Sequence, residues 1–199
     1  GPSQGLRAPL PGLGTSVEAM GGALSPRLSE MMVRQGERIT RLTDELYELA
    51  TIEAGGLELK PEPLDLARLA AEVASDFKVL AERAGVEIAV EVPAGLELVC
   101  DRRGLSRVLS NLVDNAIKYN RRGGWVRIRG AGAADLVRIE VADSGEGIPS
   151  GELAAVQQRF YRLDRARTPG RGGLGLGLAI VKHMVQQLGG ALTLASREG

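Results

Sequence analysis

Residues 111–120 read "NLVDNAIKYN", and the order of polar and apolar positions within this stretch sets the reading of the whole chain. Asn111, Asn115 and Lys118 are spaced by four and three, which places them on one face of a helix. Upstream, Leu105, Val108, Leu109, Leu112, Val113 and Ala116 form the opposite, apolar face, so the expected helix runs from about Arg102 to Tyr119. Amide oxygens are hard ligands suited to Mg²⁺, and a lysine beside them can meet phosphate oxygens. A solvated polar face gives the same pattern, and this stretch alone leaves both readings open.

Two glycine-bearing stretches follow. In "ADSGEGIP", residues 142–149, a strand delivers Asp143 at its end, where a carboxylate can accept a hydrogen bond from an amino group. Gly145 and Gly147 then allow tight turns and the close approach of a ligand, as they would in an ordinary turn. In "GRGGLGLGLAI", residues 170–180, Gly170, Gly172 and Gly175 satisfy G-x-G-x-x-G. The preceding "YRLDRARTP" is a polar loop and not a strand, so the dinucleotide reading fails on context, and no G-x-x-x-x-G-K-[ST] is present. What remains is Gly173, Gly175 and Gly177 leading into a helix N-terminus, where unpaired N–H groups favour phosphate. Leu174, Leu176 and Leu178 between them argue against a solvated linker.

Around these stretches the apolar pattern describes two parts. The first is a helical hairpin: Leu10, Leu13, Val17, Met20 and Leu24, then, after "LSPR", Met32, Ile39, Leu42, Leu46, Leu49 and Ile52, stopped by Gly55-Gly56. One hairpin has little to bury its seam against, so a homodimeric four-helix bundle is expected. "LELKPEPLDL", residues 57–66, breaks the helical period at Pro61 and Pro63 and is read as the boundary. Beyond it are expected a helix capped by Asp65 and ending near Gly85, a strand through Val86, Ile88, Val90 and Val92, the strands "WVRIRG" and "LVRIEVAD", a long mobile loop over 144–175, a helix from Gly177 to Gly189-Gly190, and a last strand "ALTLAS". This order predicts an α+β protein: an antiparallel hairpin at 1–56 followed by an α/β sandwich at 57–199, its mixed sheet covered by helices on one face.

Composition narrows the function classes. The 199 residues are 44% hydrophobic and 25% charged, with 25 basic and 25 acidic side chains, so no global field draws the chain to nucleic acid or to an anionic membrane. One cysteine, Cys100, and one histidine, His183, exclude an internal disulfide and the common protein-only zinc sites. No run reaches the length of a membrane span and no secretory signal opens the chain, so a reducing cytoplasmic location is expected. Gly1-Pro2 has the look of a tag-cleavage scar, so a natural chain continuing upstream, with an inner-membrane anchor in the parent protein, stays open.

Taken in order, "NLVDNAIKY", "DSGEGIP", "RFYR" and "GGLGLGLAIVKH" resemble the N, G1, F and G2 boxes of the histidine kinase ATP-binding domain of the GHKL superfamily. The resemblance covers roughly Leu64 onward. The hairpin, ending "LTDELYELATIEAGG" at residues 42–56, is similar to the dimerisation and histidine-phosphotransfer module of the same kinases. The resemblance implies ATP and Mg²⁺ as cofactors, with Asn115 on Mg²⁺ and Asn111 one turn before it in the catalytic set. It further implies Lys118 and Tyr119 along the nucleotide, Asp143 on the adenine amino group, Gly145 and Gly147 shaping that pocket, and Gly173, Gly175 and Gly177 around the phosphates. Phe160 would anchor the loop as a lid and Arg162 would reach the phosphates. In this family ATP phosphorylates a hairpin histidine and the phosphoryl then passes to an aspartate on a response-regulator receiver domain, the phosphorelay of bacterial two-component signal transduction.

"SQGLRAPL", residues 3–10, lines up with the family's S-H-E-L-R-T-P-L at Ser3, Leu6, Arg7, Pro9 and Leu10. The departures are Gln4, Gly5 and Ala8. Gln4 stands at the phosphoacceptor position, where a neutral amide cannot act as the nucleophile that an imidazole can. Gly5 lacks the carboxylate that would take the proton. Gln4 is either an engineered substitution or the mark of a natural pseudokinase that binds ATP and regulates a partner without phosphotransfer. A serine-directed kinase or a plain ATPase on the same fold is a third reading. His183 is expected to serve packing or the surface. Relatives continue past "ASREG" into another strand, so a truncated or disordered last strand is expected.

Overall fold

In the computed structural model, residues 26–53, 58–133, 136–163 and 175–197 are described. The chain divides into two compact units, residues 1–50 and 51–199. The first expected helix of the hairpin, with Gln4, lies outside the described residues.

Helix α1, Pro26–Glu53, opens on a proline, whose fixed φ and missing N–H suit a first helical position. Met32, Ile39 and Leu46 recur every seven residues along it, and all three side chains are exposed in the single chain.

The second unit begins with strand β1, Pro61–Asp65, which pairs antiparallel with β3, Glu97–Asp101. The boundary expected at Pro61 and Pro63 is therefore a strand. Prolines are tolerated because, among the described residues, β1 pairs with β3 alone and so uses one edge for hydrogen bonding. Asp65 caps helix α2, Leu66–Asp76, by accepting the Arg68 N–H at 3.0 Å. The single helix expected to reach Gly85 is in fact two. At Phe77 the backbone moves to φ −94° and ψ −1°, and a new helix, α3, runs Lys78–Ala84. Ala81 is thereby turned inward and Leu80 is left exposed.

Strand β2, Glu87–Glu91, runs parallel to β4, Trp125–Ala133, and β4 pairs antiparallel with β5, Leu136–Asp143. Register sets Ile88 beside Val126, and Val126 beside Asp143. Directly paired residues share a face, so Asp143 ends its strand on the same side as the fully buried Val126. On the other face Arg129 bonds Glu91 at 2.7 Å and Glu140 at 3.3 Å, and Arg127 lies 4.7 Å from the Trp125 ring centroid. One face is thus ionic and solvated. The other is closed by α2, α3 and helix α4, Arg102–Lys118, through Leu66, Leu69, Val73, Leu109, Val113 and Ile117.

Helix α5, Gly177–Gln187, lies against α4 and buries Ala179, Ile180, Val181 and Met184. A Cβ on Gly104 would meet Leu188 at 3.1 Å and Met184 at 3.3 Å, whereas one on Gly177 would meet Asn111 at 3.4 Å. The helices are therefore antiparallel. Between β5 and α5 the described part of the expected loop contains two short 3-10 turns, Ser150–Glu152 and Ala155–Gln157. "ALTLAS" is not a strand: residues 191–196 alternate exposed and half-buried but have no ladder pairing among the described residues. Alternation places side chains on two faces, and a strand additionally requires a paired backbone edge.

Candidate functional site

The site is organised along α4. Asp101 starts this helix, accepting the Gly104 N–H at 2.7 Å and, through its other oxygen, the Lys60 N–H at 2.8 Å. Those two bonds, the Lys60 one foremost, hold its carboxyl below the usual carboxylate range. The apolar face of α4 is fixed against the sheet, so its polar positions are carried to the opposite side. Asn111 and Asn115 are half-buried there, and the Asn111 side-chain amide donates to the Arg107 carbonyl at 3.0 Å. Lys118 pairs with Asp114 on the same helix.

Gly177, the first residue of α5, comes to this face. A Cβ there would stand 3.4 Å from Asn111 Oδ1 and 3.5 Å from Asn115 Nδ2. The start of a helix, with N–H groups that have no partner within the helix, thus faces two side-chain amides. Gly175, two residues earlier, has φ +76°, and a Cβ on it would lie 2.5 Å from the Tyr161 carbonyl oxygen. Only glycine meets both demands. Its carbonyl accepts the Phe160 N–H at 3.1 Å. Phe160 itself has φ +62° and is 57% exposed, an uncommon backbone state for a bulky residue. The backbone of Phe160 is tied down while its ring stands in solvent. Tyr161 is fixed by a hydrogen bond to Glu152.

At the C-terminal end of α4, Gly145 passes under Tyr119. A Cβ on Gly145 would fall 2.5 Å from the Tyr119 carbonyl oxygen, and Glu146 N–H donates to that oxygen at 3.2 Å. Asp143 Oδ1 accepts the Gly145 N–H at 2.8 Å, and Gly147 follows with φ +73°. Asn111, Asn115, Lys118, Tyr119, Gly145 and Gly177 are therefore gathered along one helix, with Asp143 bonded to Gly145 and Gly175 two residues before Gly177. Gly173 lies outside the described residues.

Asn120 and Ser144, which the sequence reading did not single out, hold this end together. Asn120 is 4% exposed; its amide donates to the Trp125 carbonyl at 3.0 Å, and its oxygen accepts the Arg121 N–H at 3.0 Å and the Ser144 hydroxyl at 3.2 Å. Ser144 Oγ in turn accepts the Trp125 N–H at 2.8 Å. The end of α4, the start of β4 and the end of β5 are thus joined by one buried polar knot. The signal available in the sequence was a third asparagine closing "NLVDNAIKYN", five residues before a strand.

Arg162 is half-buried just beyond Tyr161. His183 sits on α5, where burial, then the charges of Arg159 and Lys182, push its imidazole below the ordinary value. A shallow basic groove lined by Arg102, Arg103, Ser106, Arg107 and Ser110 occupies the N-terminal half of α4, away from the glycine contacts.

Residues 100–199 match the family of histidine kinase-, DNA gyrase B- and HSP90-like ATPases. The sensor-like histidine kinase SenX3 of Mycolicibacterium smegmatis is 35% identical over 175 residues, which cover 87% of this chain and 45% of that protein. The sensor histidine kinase WalK of Bacillus subtilis is 34% identical, with 99% of this chain and 34% of WalK covered. The chain thus spans less than half the length of these relatives. Among solved structures, full-length ShkA in complex with AMPPNP superposes with a TM-score of 0.74 at 26% identity, covering 89% of this chain and 37% of ShkA.

Proposed function

The chain belongs to the histidine kinase-, DNA gyrase B- and HSP90-like ATPase family, and from that premise we propose that it is the catalytic region of a two-component sensor histidine kinase that takes ATP as its substrate along α4. The observation that carries this reading is the convergence of two separate glycine stretches on one helix. Gly177 abuts Asn111 and Asn115, and Gly145 abuts Tyr119.

Each residue then has a definable task. Asp143 has one oxygen committed to the Gly145 N–H, and its other oxygen accepts from the adenine amino group. Tyr119, Gly145 and Gly147 bound the base. Gly173, Gly175 and Gly177 bring backbone close to the phosphates, and the first N–H groups of α5 donate to them. Lys118 and Arg162 supply positive charge, and Phe160 anchors the loop over the nucleotide. The donor set fits a Mg²⁺, since the amide oxygens of both Asn111 and Asn115 lie near Gly177, and Asn115 would hold the ion. When bound, that ion neutralises charge on the transferring group. Catalysis by this chain is then positioning and charge placement.

The stripe of Met32, Ile39 and Leu46 on α1 supports a homodimer formed through the hairpin at 1–56, with the nucleotide domain at 57–199. The phosphoryl group passes from such a hairpin to a response-regulator receiver domain. Among the described residues no helix is long and apolar enough to cross a membrane, and we assign this segment to the cytoplasm, without contact to membrane or nucleic acid. Gln4 removes the nucleophile of the first transfer, so a second reading is a pseudokinase that binds ATP and regulates a partner.

Labelling with γ-phosphate-tagged ATP tests these readings. Acid-labile label on the Gln4→His protein and none on this chain is the expected result. Label on neither, with nucleotide bound to both, would favour the pseudokinase. Phosphate released to water at the same rate by both would favour a plain ATPase.

A further inference from the structure

Four polar side chains share one stripe of α4, Asn111, Asp114, Asn115 and Lys118, at spacings of three, one and three, and two of them, Asn111 and Asn115, lie against Gly177. Two neutral amides and an ammonium suit a polyanion. Asp114 does not, since a carboxylate on the same stripe repels phosphate. It forms an ion pair with Lys118, and the two side chains are only 29% and 27% exposed, so water and salt screen the pair less than they would a fully exposed one.

We propose that Asp114 is a specificity-setting counter-ion. It occupies the Lys118 ammonium in place of phosphate, so phosphate-bearing ligands enter by ion-pair exchange while an uncharged nucleoside does not. The inference rests on ATP lying along α4. Its physical basis is the sign of the charge. Whether Lys118 stays with Asp114 or turns to the ligand, the carboxylate subtracts from the attraction that the ammonium offers. The pair as a whole is neutral, and the phosphates of ADP or ATP must outcompete a carboxylate on the adjacent helical turn. A helix-stabilising Asp–Lys pair with no other role would act on the fold and treat all ligands alike.

Calorimetry on the full chain separates these cases, using adenosine, ADP in EDTA and Mg·ATP as probes. Asp114→Asn is expected to tighten ADP and Mg·ATP by about two- to five-fold, the range of a partly exposed ion pair, and to leave adenosine unchanged. Asp114→Glu should return the wild-type values. In a Lys118→Gln background the Asp114→Asn effect should shrink, because the competition for the ammonium is gone and only the direct repulsion of phosphate is left. Equal changes for adenosine and ADP, or weaker ADP binding in Asp114→Asn, would overturn the proposal. Loss of Mg·ATP affinity with ADP unchanged would also overturn it, by making Asp114 an aid to the metal. Failure of the folded wild-type chain to bind any of the three probes would instead remove the nucleotide site itself.

Discussion

Two sites along the C-terminal half of α4 are built by opposite means. At the Tyr119 end, Asn120, Ser144 and the Trp125 backbone close a network in which side-chain hydrogen bonds fix three elements together. At Asn111 and Asn115, further back along the helix, the contact to Gly177 is made by backbone, and what matters is the side-chain volume that is missing. The first site is held by satisfied polar groups. The second is shaped by space, and a phosphate-sized ligand needs that space more than it needs further contacts.

Substitutions should split along this line. Asn115→Ala is expected to break the spacious site alone, lowering Mg²⁺-dependent ATP affinity about a hundredfold while adenosine still binds. Unchanged ATP affinity by calorimetry would remove Asn115 from the site. Asn120→Ala should break the knotted end, leaving the Arg121 N–H, the Trp125 carbonyl and Ser144 short of a partner and costing about 2 kcal/mol in urea unfolding. Gly175→Ala should cost roughly 1–2 kcal/mol through φ +76° and the crowded Tyr161 carbonyl, and should weaken ATP more than adenosine. Equal weakening of both ligands would blur the comparison.

Asp101→Ala serves as a reference, since it touches neither glycine contact. Loss of this N-cap is expected to cost about 1 kcal/mol with nucleotide affinity retained. The same carboxyl sets a smaller, pH-dependent effect. Its folded value is held below 3.8 by the Lys60 and Gly104 N–H groups, so its contribution is complete above the unfolded value. It is lost as the pH falls through the folded value. Urea midpoints for wild type and Asp101→Ala should therefore converge only in that acid range.

Much of this was legible in the sequence because the signals were periodic. The α4 apolar face, the Asp65 cap and the alternation of Val126 with Ile128 all follow from spacing, and each is present. The motifs that meet around α4 could be named one by one. Their meeting could not, because the contact of Gly177 with Asn111 depends on how α5 packs 66 residues downstream. β1 was hidden by two prolines that an edge strand tolerates. β3, "ELVCD", is five residues long with an acidic residue at each end, too short for alternation to stand out. The break at Phe77 is a tertiary choice between Leu80 and Ala81 as the inward residue, and propensity does not distinguish them. Asn120 was passed over because its partners come from two distant strand ends.

The antiparallel packing of α5 on α4 has a mechanical consequence. Met184 and Leu188 rest against Gly104 at one end, and Gly177 rests against the amides at the other. With a rise of about 1.5 Å per residue, the span from Gly177 to that resting point is roughly 10–16 Å. The helix is thus seated at two points, by side chains at Gly104 and by bare backbone at Gly177, with Ala179, Ile180 and Val181 buried between them. A bulkier residue at position 104 is therefore expected to press on Leu188 and Met184 and to shift Gly177 against the two amides without itself entering that contact.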